Sequence, residues 1–433
     1  MTEFNDRQGP LGASLSRRRV LQGMAGAAIV GATGFIDMPA AFAAGTSDFA
    51  PWFGPGGKEA GGDLIWVHGL NLSMTGQGAD FGTSMERGAR LATEVITASG
   101  GPKMSIALND HQSGLVPPAV QGVRRLISQD KINSLASSYG AATEAIFPLT
   151  NQFGVTTFWT GGPSASGLNR PNVFVTIALW AVDATAGGIA YMAKQFKDAK
   201  RLAILGQTEN GLPAVNDIAP KAWKEASGGD VVYKEVINAG GTDFSSSISQ
   251  IRAAKPDVIF TTLYGNDGGF FIKQVREAGI SAPILIIDLA PSGAQIAGSA
   301  LSDNVYLATD GYQVANPNPY NQAFVKAYKA KHNADPGYFE ANFFECTMVL
   351  WAAIQRAIKD GDTPGRGLAL AKAIEKNPVF PSLYGGSADN AGEMTFNKDH
   401  SVTKPMGVFK IGDGGALTRV ASIMKNSTEV QPA

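Results

Sequence analysis

Residues 63–108 read DLIWVHGLNLSMTGQGADFGTSMERGARLATEVITASGGPKMSIAL, and this stretch sets the fold class. Residues 64–70 form a short apolar run of strand length. A loop rich in Gly, Ser and Thr follows over 71–78. From about 80 to 99 the period changes, and Phe81, Met85, Ala89, Ala92 and Ile96 share one face at helical spacing. Gly100-Gly101-Pro102 stops that helix, because glycine accepts a left-handed cap and proline cannot continue a helix. A second apolar run over 104–108 then begins. Strand, helix and strand at this spacing make a parallel βαβ unit with a right-handed crossover.

The cycle repeats along the chain. A helix marked by Val120, Val123 and Ile127 leads to a strand over 132–136, a helix over 141–153 and a strand over 155–159. A second series starts near Asp183. It runs helix to 196, strand 202–205, helix 215–226, strand 231–236, helix 244–254, strand 258–263, helix 268–278 and strand 284–287. The alternation predicts an α/β protein with two doubly wound parallel-sheet lobes. The length, 433 residues, also exceeds one ordinary hydrophobic core. From about 318 the pattern turns helical, through Phe324, Val325 and Tyr328 and then over 343–358, and these helices need a sheet to pack on. Residues 392–423 return to short strands with glycine-rich turns. Residues 44–62, rich in Gly and Pro, are expected to be a flexible lead-in, and 425–433 a tail.

The first residues carry a different signal. Paired arginines in Ser16-Arg17-Arg18-Arg19-Val20-Leu21 precede an apolar, Gly/Ala-rich stretch over 20–36. Ala41-Phe42-Ala43 then supplies small residues where a signal peptidase reads. This is the pattern of a twin-arginine-type signal peptide over 1–43, cleaved near Ala43, with a periplasmic destination. An uncleaved anchor helix is the alternative. No cysteine follows the apolar stretch, which disfavours a lipid anchor.

Composition excludes several function classes. Apolar residues are 44%, charged residues 17% and the formal net charge −1, so the body is globular and has no basic surplus for nucleic acid or anionic membrane. Cys346, the only cysteine, can make neither an internal disulfide nor a zinc cage, and its apolar helical surroundings suit an inert thiol. His68, His111, His332 and His400 are not at metal-ligand spacing. A phosphate loop, His-Glu-x-x-His and Gly-x-Ser-x-Gly are absent, and the glycines of a dinucleotide fingerprint are missing around Gly211. The expectation is a binding protein rather than an enzyme, with no cofactor and no metal.

In open α/β sheets, ligands bind beyond the carboxyl ends of the strands. Those positions are 70–78, 137–140 and 160–164 in the first lobe, and 206–211, 264–267 and 288–292 in the second. They are polar and aromatic, with two carboxylates and several Gly and Ser residues near helix starts, a combination that suits a zwitterion.

Over about 63–424 the chain resembles the branched-chain amino-acid (Leu/Ile/Val) type of ABC-transporter periplasmic substrate-binding protein, with the type 1 periplasmic binding fold. The resemblance is carried by Leu72-Ser73-Met74-Thr75-Gly76, Gly88-Ala89 read as a helix start, and Gly240-Gly241-Thr242-Asp243-Phe244. Lys255-Pro256-Asp257-Val258-Ile259 with Tyr264 after it, and Phe324/Tyr328 before Pro336, complete the order. It implies three crossovers between lobes, with lobe 1 made of 63–178 and 313–395 and lobe 2 of 179–312 and 396–424. It also implies a small-molecule solute in the inter-lobe cleft, an ABC permease of the inner membrane as partner, and a monomer.

The resemblance places the contacts to ligand amine and carboxylate on Gly162 and Ser164. It places an aromatic on Tyr264, the acid that pairs with a ligand ammonium on Asp288, and an aromatic near the first loop on Phe81. Two positions depart from the family pattern. Gly140, preceded by Tyr139, stands where a serine often binds the carboxylate, and Asn210 stands where an aromatic often covers the ligand. Trp180 is a further candidate wall. Plainer roles stay open: helix caps for Asp288 and Ser164, strand-end packing for Tyr264, a turn for Asn210, and core or hinge packing for Trp180. The expected function is capture of an amino acid or related small carboxylate for an ABC importer. The alternative is a sensory binding protein for a small amide, urea-like or aromatic-acid solute.

Overall fold

A computed structural model describes residues 46–432 apart from 55, 179, 209–213 and 424–429; the segment read as a signal peptide and Asn210 lie outside the described residues. The first sheet holds β1 (Ile65–Leu72), β2 (Lys103–Asp110), β3 (Ser134–Ser138), β4 (Thr156–Gly161) and β5 (Val173–Val175). All are parallel, in the order β2-β1-β3-β4-β5. The second sheet holds β6 (Arg201–Gln207), β7 (Asp230–Ile237), β8 (Val258–Thr261), β9 (Ile284–Ile286) and β10 (Val305–Asp310), parallel in the order β7-β6-β8-β9-β10. The same doubly wound order thus occurs twice, each with its reversal point beside the first strand of the set. A separate ribbon pairs β11 (Val379–Ser382) with β12 (Gly392–Thr395). Strands β13 (Met406–Ile411), β14 (Leu417–Ile423) and β15 (Val430–Pro432) then extend the second sheet beyond β10. These last three are antiparallel, so the second sheet is mixed rather than wholly parallel.

Helices α1 (Ala79–Ala98), α2 (Val116–Ser128), α3 (Gly140–Glu144) and α4 (Phe147–Gln152) connect the first set of strands. The single helix expected over 141–153 is two, because Pro148 sits in the first turn of α4, where its missing N–H costs nothing. Helices α5 (Trp180–Gln195), α6 (Ala219–Ser227), α7 (Ser245–Ala254), α8 (Gly265–Glu277) and α9 (Pro291–Ala297) serve the second set. Helices α10 (Pro319–His332), α11 (Tyr338–Lys359) and α12 (Ala369–Lys376) follow β10, and α11 returns to pack along α1 and against β4. The chain therefore passes between the sheets three times, at 176–180, 311–318 and 396–405. The strands β5 and β10 are absent from the alternation read in the sequence, β5 because it is only three residues long.

The core of the first lobe is aromatic. Trp66, Phe158, Phe174, Phe343, Phe344 and Trp351 are all buried in one cluster. Residues 46–53, expected to belong to a loose lead-in, join it. Phe49 is buried against Phe344 at 5.6 Å between ring centroids, and Phe53 stacks on Trp351 at 5.4 Å. Apolar rings spaced through a Gly/Pro-rich stretch suffice to dock it. Cys346 is buried on α11, and burial pushes its thiol up to about 12, in keeping with an inert side chain. Among the described residues no group of His, Cys, Asp or Glu is placed to hold a metal ion, and no helix is long and apolar enough to cross a membrane.

Gly88 lies in the middle of α1, not at a helix start. Its role is close approach: a Cβ there would sit 2.2 Å from the Glu340 carbonyl oxygen on α11. Backbone cannot yield that distance, so Gly88→Ala is expected to push the helices apart and to destabilise the protein by about 1–3 kcal/mol in urea unfolding. Acid sensitivity has a separate cause. His68, with Nδ1 2.9 Å from Ser134 Oγ, and His111 are both buried, and desolvation lowers each to about 4. Between pH 6.5 and 4 the unfolded chain therefore binds protons that the folded chain refuses, and stability falls with pH. Urea unfolding at pH 7 and pH 5 should show a loss of roughly 2 kcal/mol for each histidine, with His68→Gln showing about half the total.

Candidate ligand-binding site

The carboxyl ends of the parallel strands from both sheets face one region. From the first sheet, β2 ends on Asp110, whose carboxylate organises the loop after β1. It accepts hydrogen bonds from the Met74 and Thr75 amides at 2.9 and 3.3 Å, from Thr75 Oγ1 at 2.6 Å and from the Gln112 amide at 2.7 Å. Partial burial acts to raise its pKa, but these donors prevail and hold it below the usual carboxylate range. Ser113 Oγ then donates to the Thr75 carbonyl at 2.9 Å and accepts from the Gly78 amide at 3.0 Å. The loop is thus held by its own hydrogen bonds.

Behind it lies a buried polar ladder. Asn109 Nδ2 donates to Asn71 Oδ1 at 2.8 Å, Asn71 Nδ2 donates to Ser137 Oγ at 3.0 Å, and Ser137 Oγ lies 2.7 Å from Thr143 Oγ1. The Gly114 amide donates to His111 Nδ1 at 3.0 Å, so that nitrogen carries no proton. The proton is on Nε2, 3.2 Å from Ser138 Oγ, and burial keeps the ring neutral. This ladder holds Tyr139 at φ 65°, a conformation rare for a non-glycine residue and costing on the order of 1–3 kcal/mol. The turn aims the Tyr139 ring edge-on to His111 at 5.1 Å and to Tyr264 of the second sheet at 6.0 Å. Its hydroxyl is buried beside Gly78, where a Cβ would come within 1.9 Å of it.

From the second sheet, Tyr264 follows β8 and is buried. Its amide donates to Gln207 Oε1 at 3.2 Å, and Gln207 Nε2 donates to Asp267 Oδ2 at 2.5 Å. The same Asp267 oxygen accepts from the Gly240 and Gly241 amides at 2.8 and 3.2 Å, which gives the Gly240-Gly241 turn its anchor. Asp288 follows β9 and is 9% exposed, with Oδ1 lacking any hydrogen-bond partner among the described residues. Burial raises its carboxyl to about 8, against the lowering effect of the Leu289 amide. Its charge acts across the cleft on the phenols of Tyr139 and Tyr338, both already raised by burial.

The lips of the cleft touch. Gln77 Nε2 donates to the Tyr264 hydroxyl at 3.0 Å, and the Ser292 amide donates to Asp80 Oδ2 at 3.2 Å. A Cβ on Gly265 would lie 2.6 Å from the Gln77 carbonyl oxygen, so only glycine fits there.

The structure therefore brings Tyr139, Tyr264 and Asp288 together. Gly140 and Gly162 border open space: a Cβ on Gly140 would meet nothing nearer than the Gly162 carbonyl oxygen at 3.9 Å, and Gly162 has φ +61°. Ser164 is otherwise engaged, its Oγ donating to Glu144 Oε1 at 2.7 Å and accepting from the Ser166 amide at 3.2 Å, where it caps a short 3-10 turn. Phe81 is buried in the core, edge-on to Phe339 at 5.2 Å. Trp180 opens α5. Tyr338 and His111 lie at the cleft outside the ligand-end stretches read from the sequence, whereas Gln77 falls within 70–78. For Tyr338 a signal existed, since it begins a helix at Gly337, whose amide donates to Glu340 Oε2 at 3.0 Å.

Known proteins share this arrangement of the chain. A family model described as periplasmic binding protein matches residues 69–416. The chain is 25% identical over 362 residues to the Leu/Ile/Val-binding protein homolog 3 of Brucella melitensis, covering 80% of this chain and 91% of that protein. It is 23% identical over 295 residues to the leucine-, isoleucine-, valine-, threonine- and alanine-binding protein of Pseudomonas aeruginosa, covering 66% and 76%. Among solved structures, the branched-chain amino acid transporter substrate binding protein LivJ of Streptococcus pneumoniae, in complex with isoleucine, aligns with a TM-score of 0.71 at 20% identity over 85% of this chain and 99% of its own. A solute binding protein of an ABC transporter from R. palustris, in complex with benzoate, aligns with a TM-score of 0.71 at 21% identity over 84% and 98%. With a family match running from β1 nearly to β14 and both sheets in the expected strand order, the chain belongs to the periplasmic binding protein family.

Proposed function

We propose that the chain is the extracytoplasmic solute-binding component of an ABC importer, exported by its first 43 residues, and that it hands a small solute to a membrane permease. The observation that carries this reading is Asp288. A buried carboxylate with an unpartnered oxygen is costly, and such a group persists where a ligand supplies the missing partner. A protonated amine is that partner, with Tyr139 and Tyr264 as flanking aromatic walls. Gly140 and Gly162 leave room for the rest of an amino acid or related small carboxylate, and Ser164 is a further contact if its bond to Glu144 yields. The relatives that bind leucine, isoleucine and valine support the same class. No bond is made or broken in this reading; affinity comes from contacts supplied by both lobes on closure.

A second reading, an aromatic acid, draws support from the tyrosine-lined cleft and from the benzoate-bound neighbour. The sensory role, in which the filled protein signals to a receptor, uses the same cleft and differs only in the membrane partner.

Mass spectrometry of the small molecule that co-purifies with the protein tests the class directly. Protons separate the two solute readings. Burial keeps Asp288 neutral below pH about 8, whereas an ammonium ligand requires its carboxylate. Amine binding therefore expels a proton, and affinity should rise between pH 5 and 8 by up to about tenfold per unit. Calorimetry in buffers of different ionisation enthalpy reads the released proton. Asp288→Asn should abolish that release and weaken an amine-bearing solute at least about thirtyfold. An aromatic acid retains a neutral Asp288 in the complex, so its affinity should stay level from pH 5 to about 8 and fall only above that.

A further inference from the structure

Two of the three crossovers leave the second sheet side by side. Strands β10 and β13 pair antiparallel as far as Asp310 opposite Met406, and the Gly311 amide donates to the Pro405 carbonyl at 2.9 Å. Lys404, one residue further along the third crossover, is 3% exposed. Its ammonium does not turn to solvent but enters the first lobe, where it pairs with Glu345, donates to Asn342 Oδ1 at 2.6 Å and lies 4.7 Å from the centroid of the Tyr384 ring. Glu345 and Asn342 are both on α11, and both are fully buried. The other Glu345 oxygen accepts from Ser382 Oγ at 2.7 Å and the Leu383 amide at 2.8 Å.

The cluster also reaches back to the second lobe. Asp310, at the end of β10, accepts from the Tyr384 hydroxyl at 2.7 Å and from Asn342 Nδ2 at 3.1 Å. One buried cation therefore serves two buried carboxylates, Glu345 in one lobe by direct contact and Asp310 in the other through Asn342 and Tyr384. Burying charges is expensive unless each is paired and hydrogen-bonded, so the set tolerates few other geometries. Asn342 Nδ2 lies, in addition, 2.8 Å from the carbonyl oxygen of Tyr338. Tyr338, which lies near Asp288, is one helical turn before Asn342 and two before Glu345 of the ion pair. The hinge and the cleft wall are joined by a single turn of α11.

We propose that Lys404 is a positioning residue of the hinge: by anchoring the third crossover in α11 it sets the angle between the lobes and ties that angle to the placement of Tyr338 in the cleft. This rests on the reading that the lobes close on a solute, so the test uses the empty protein. Spin labels at Arg124→Cys on α2 and Lys221→Cys on α6, both exposed, report the distance between lobes, and the buried Cys346 does not compete for the label. Two backgrounds disturb the cluster. Lys404→Met with Glu345→Gln removes both charges together, and Tyr384→Phe removes only the hydroxyl that reaches Asp310. Pulsed electron paramagnetic resonance should give a narrow distance distribution for the parent, and a broader one with added weight at longer distances for both variants. A folded variant with the parent's distribution overturns the proposal, and if the double variant does not fold, Tyr384→Phe decides alone. The distribution needs no solute, so its outcome is independent of which molecule, or none, is found to co-purify.

Discussion

Helix α11 lying along α1 is the contact on which the architecture depends. The first sheet has five parallel strands and must be covered on both faces, yet the helices between its own strands do not complete the cover. The cover arrives from residues that follow the second sheet in the chain. Gly88 against Glu340 lets the two helix backbones approach closely enough to exclude water. Once α11 belongs to the first lobe, the chain has no choice but to cross between lobes after β10 and again before β13. The crossovers and the hinge are consequences of a packing requirement in the first lobe.

The cleft gathers polar groups from both sheets. Several are paired within the chain: Asp110 with the Met74, Thr75 and Gln112 donors, Asp267 with Gln207 and the Gly240 and Gly241 amides, and the Asn71–Asn109–Ser137 ladder along its length. Asp288 Oδ1, like the Tyr139 hydroxyl and Gln77 Oε1, has no hydrogen-bond partner among the described residues, and Asp288 is the acid among them. Asp267, in the first turn of α8, is fully engaged by the scaffold, whereas Asp288 after β9 is the acid that the proposed ligand would meet.

Much of this was legible in the sequence, for physical reasons. Parallel strands buried on both faces read as apolar runs, and the first polar or aromatic residue after such a run marks the ligand end. That is how 264–267 and 288–292 are marked as ligand-end stretches, while the roles of Tyr264 and Asp288 come from the family resemblance. Phe81 is buried against Phe339, and a helix-face aromatic beside a loop looks the same in the sequence whether it faces the cleft or the core. Ser164 shows a similar limit, since a hydroxyl at a turn suits a ligand and a cap equally, and its carboxylate partner Glu144 is twenty residues away. Gly88 was noticed for the wrong reason, as its function depends on a helix more than two hundred residues distant. The Lys404 cluster was hidden for the same cause. Glu345 inside an apolar helical run was a visible anomaly, but nothing local indicates that a lysine beyond β12 neutralises it.

The late return of α11 also bears on how the protein is made. Until residues near 359 have been synthesised, the first sheet lacks the helix that packs on α1, while the second set of parallel strands is already complete. Contacts between residues such as Gly88 and Glu340 close very long loops, and topologies of that kind fold slowly and expose apolar surface while they wait. A nascent chain of this design completes neither lobe until its final segments emerge, since α11 finishes the first and β13–β15 the second, which favours folding as a whole molecule over folding piece by piece from the amino terminus.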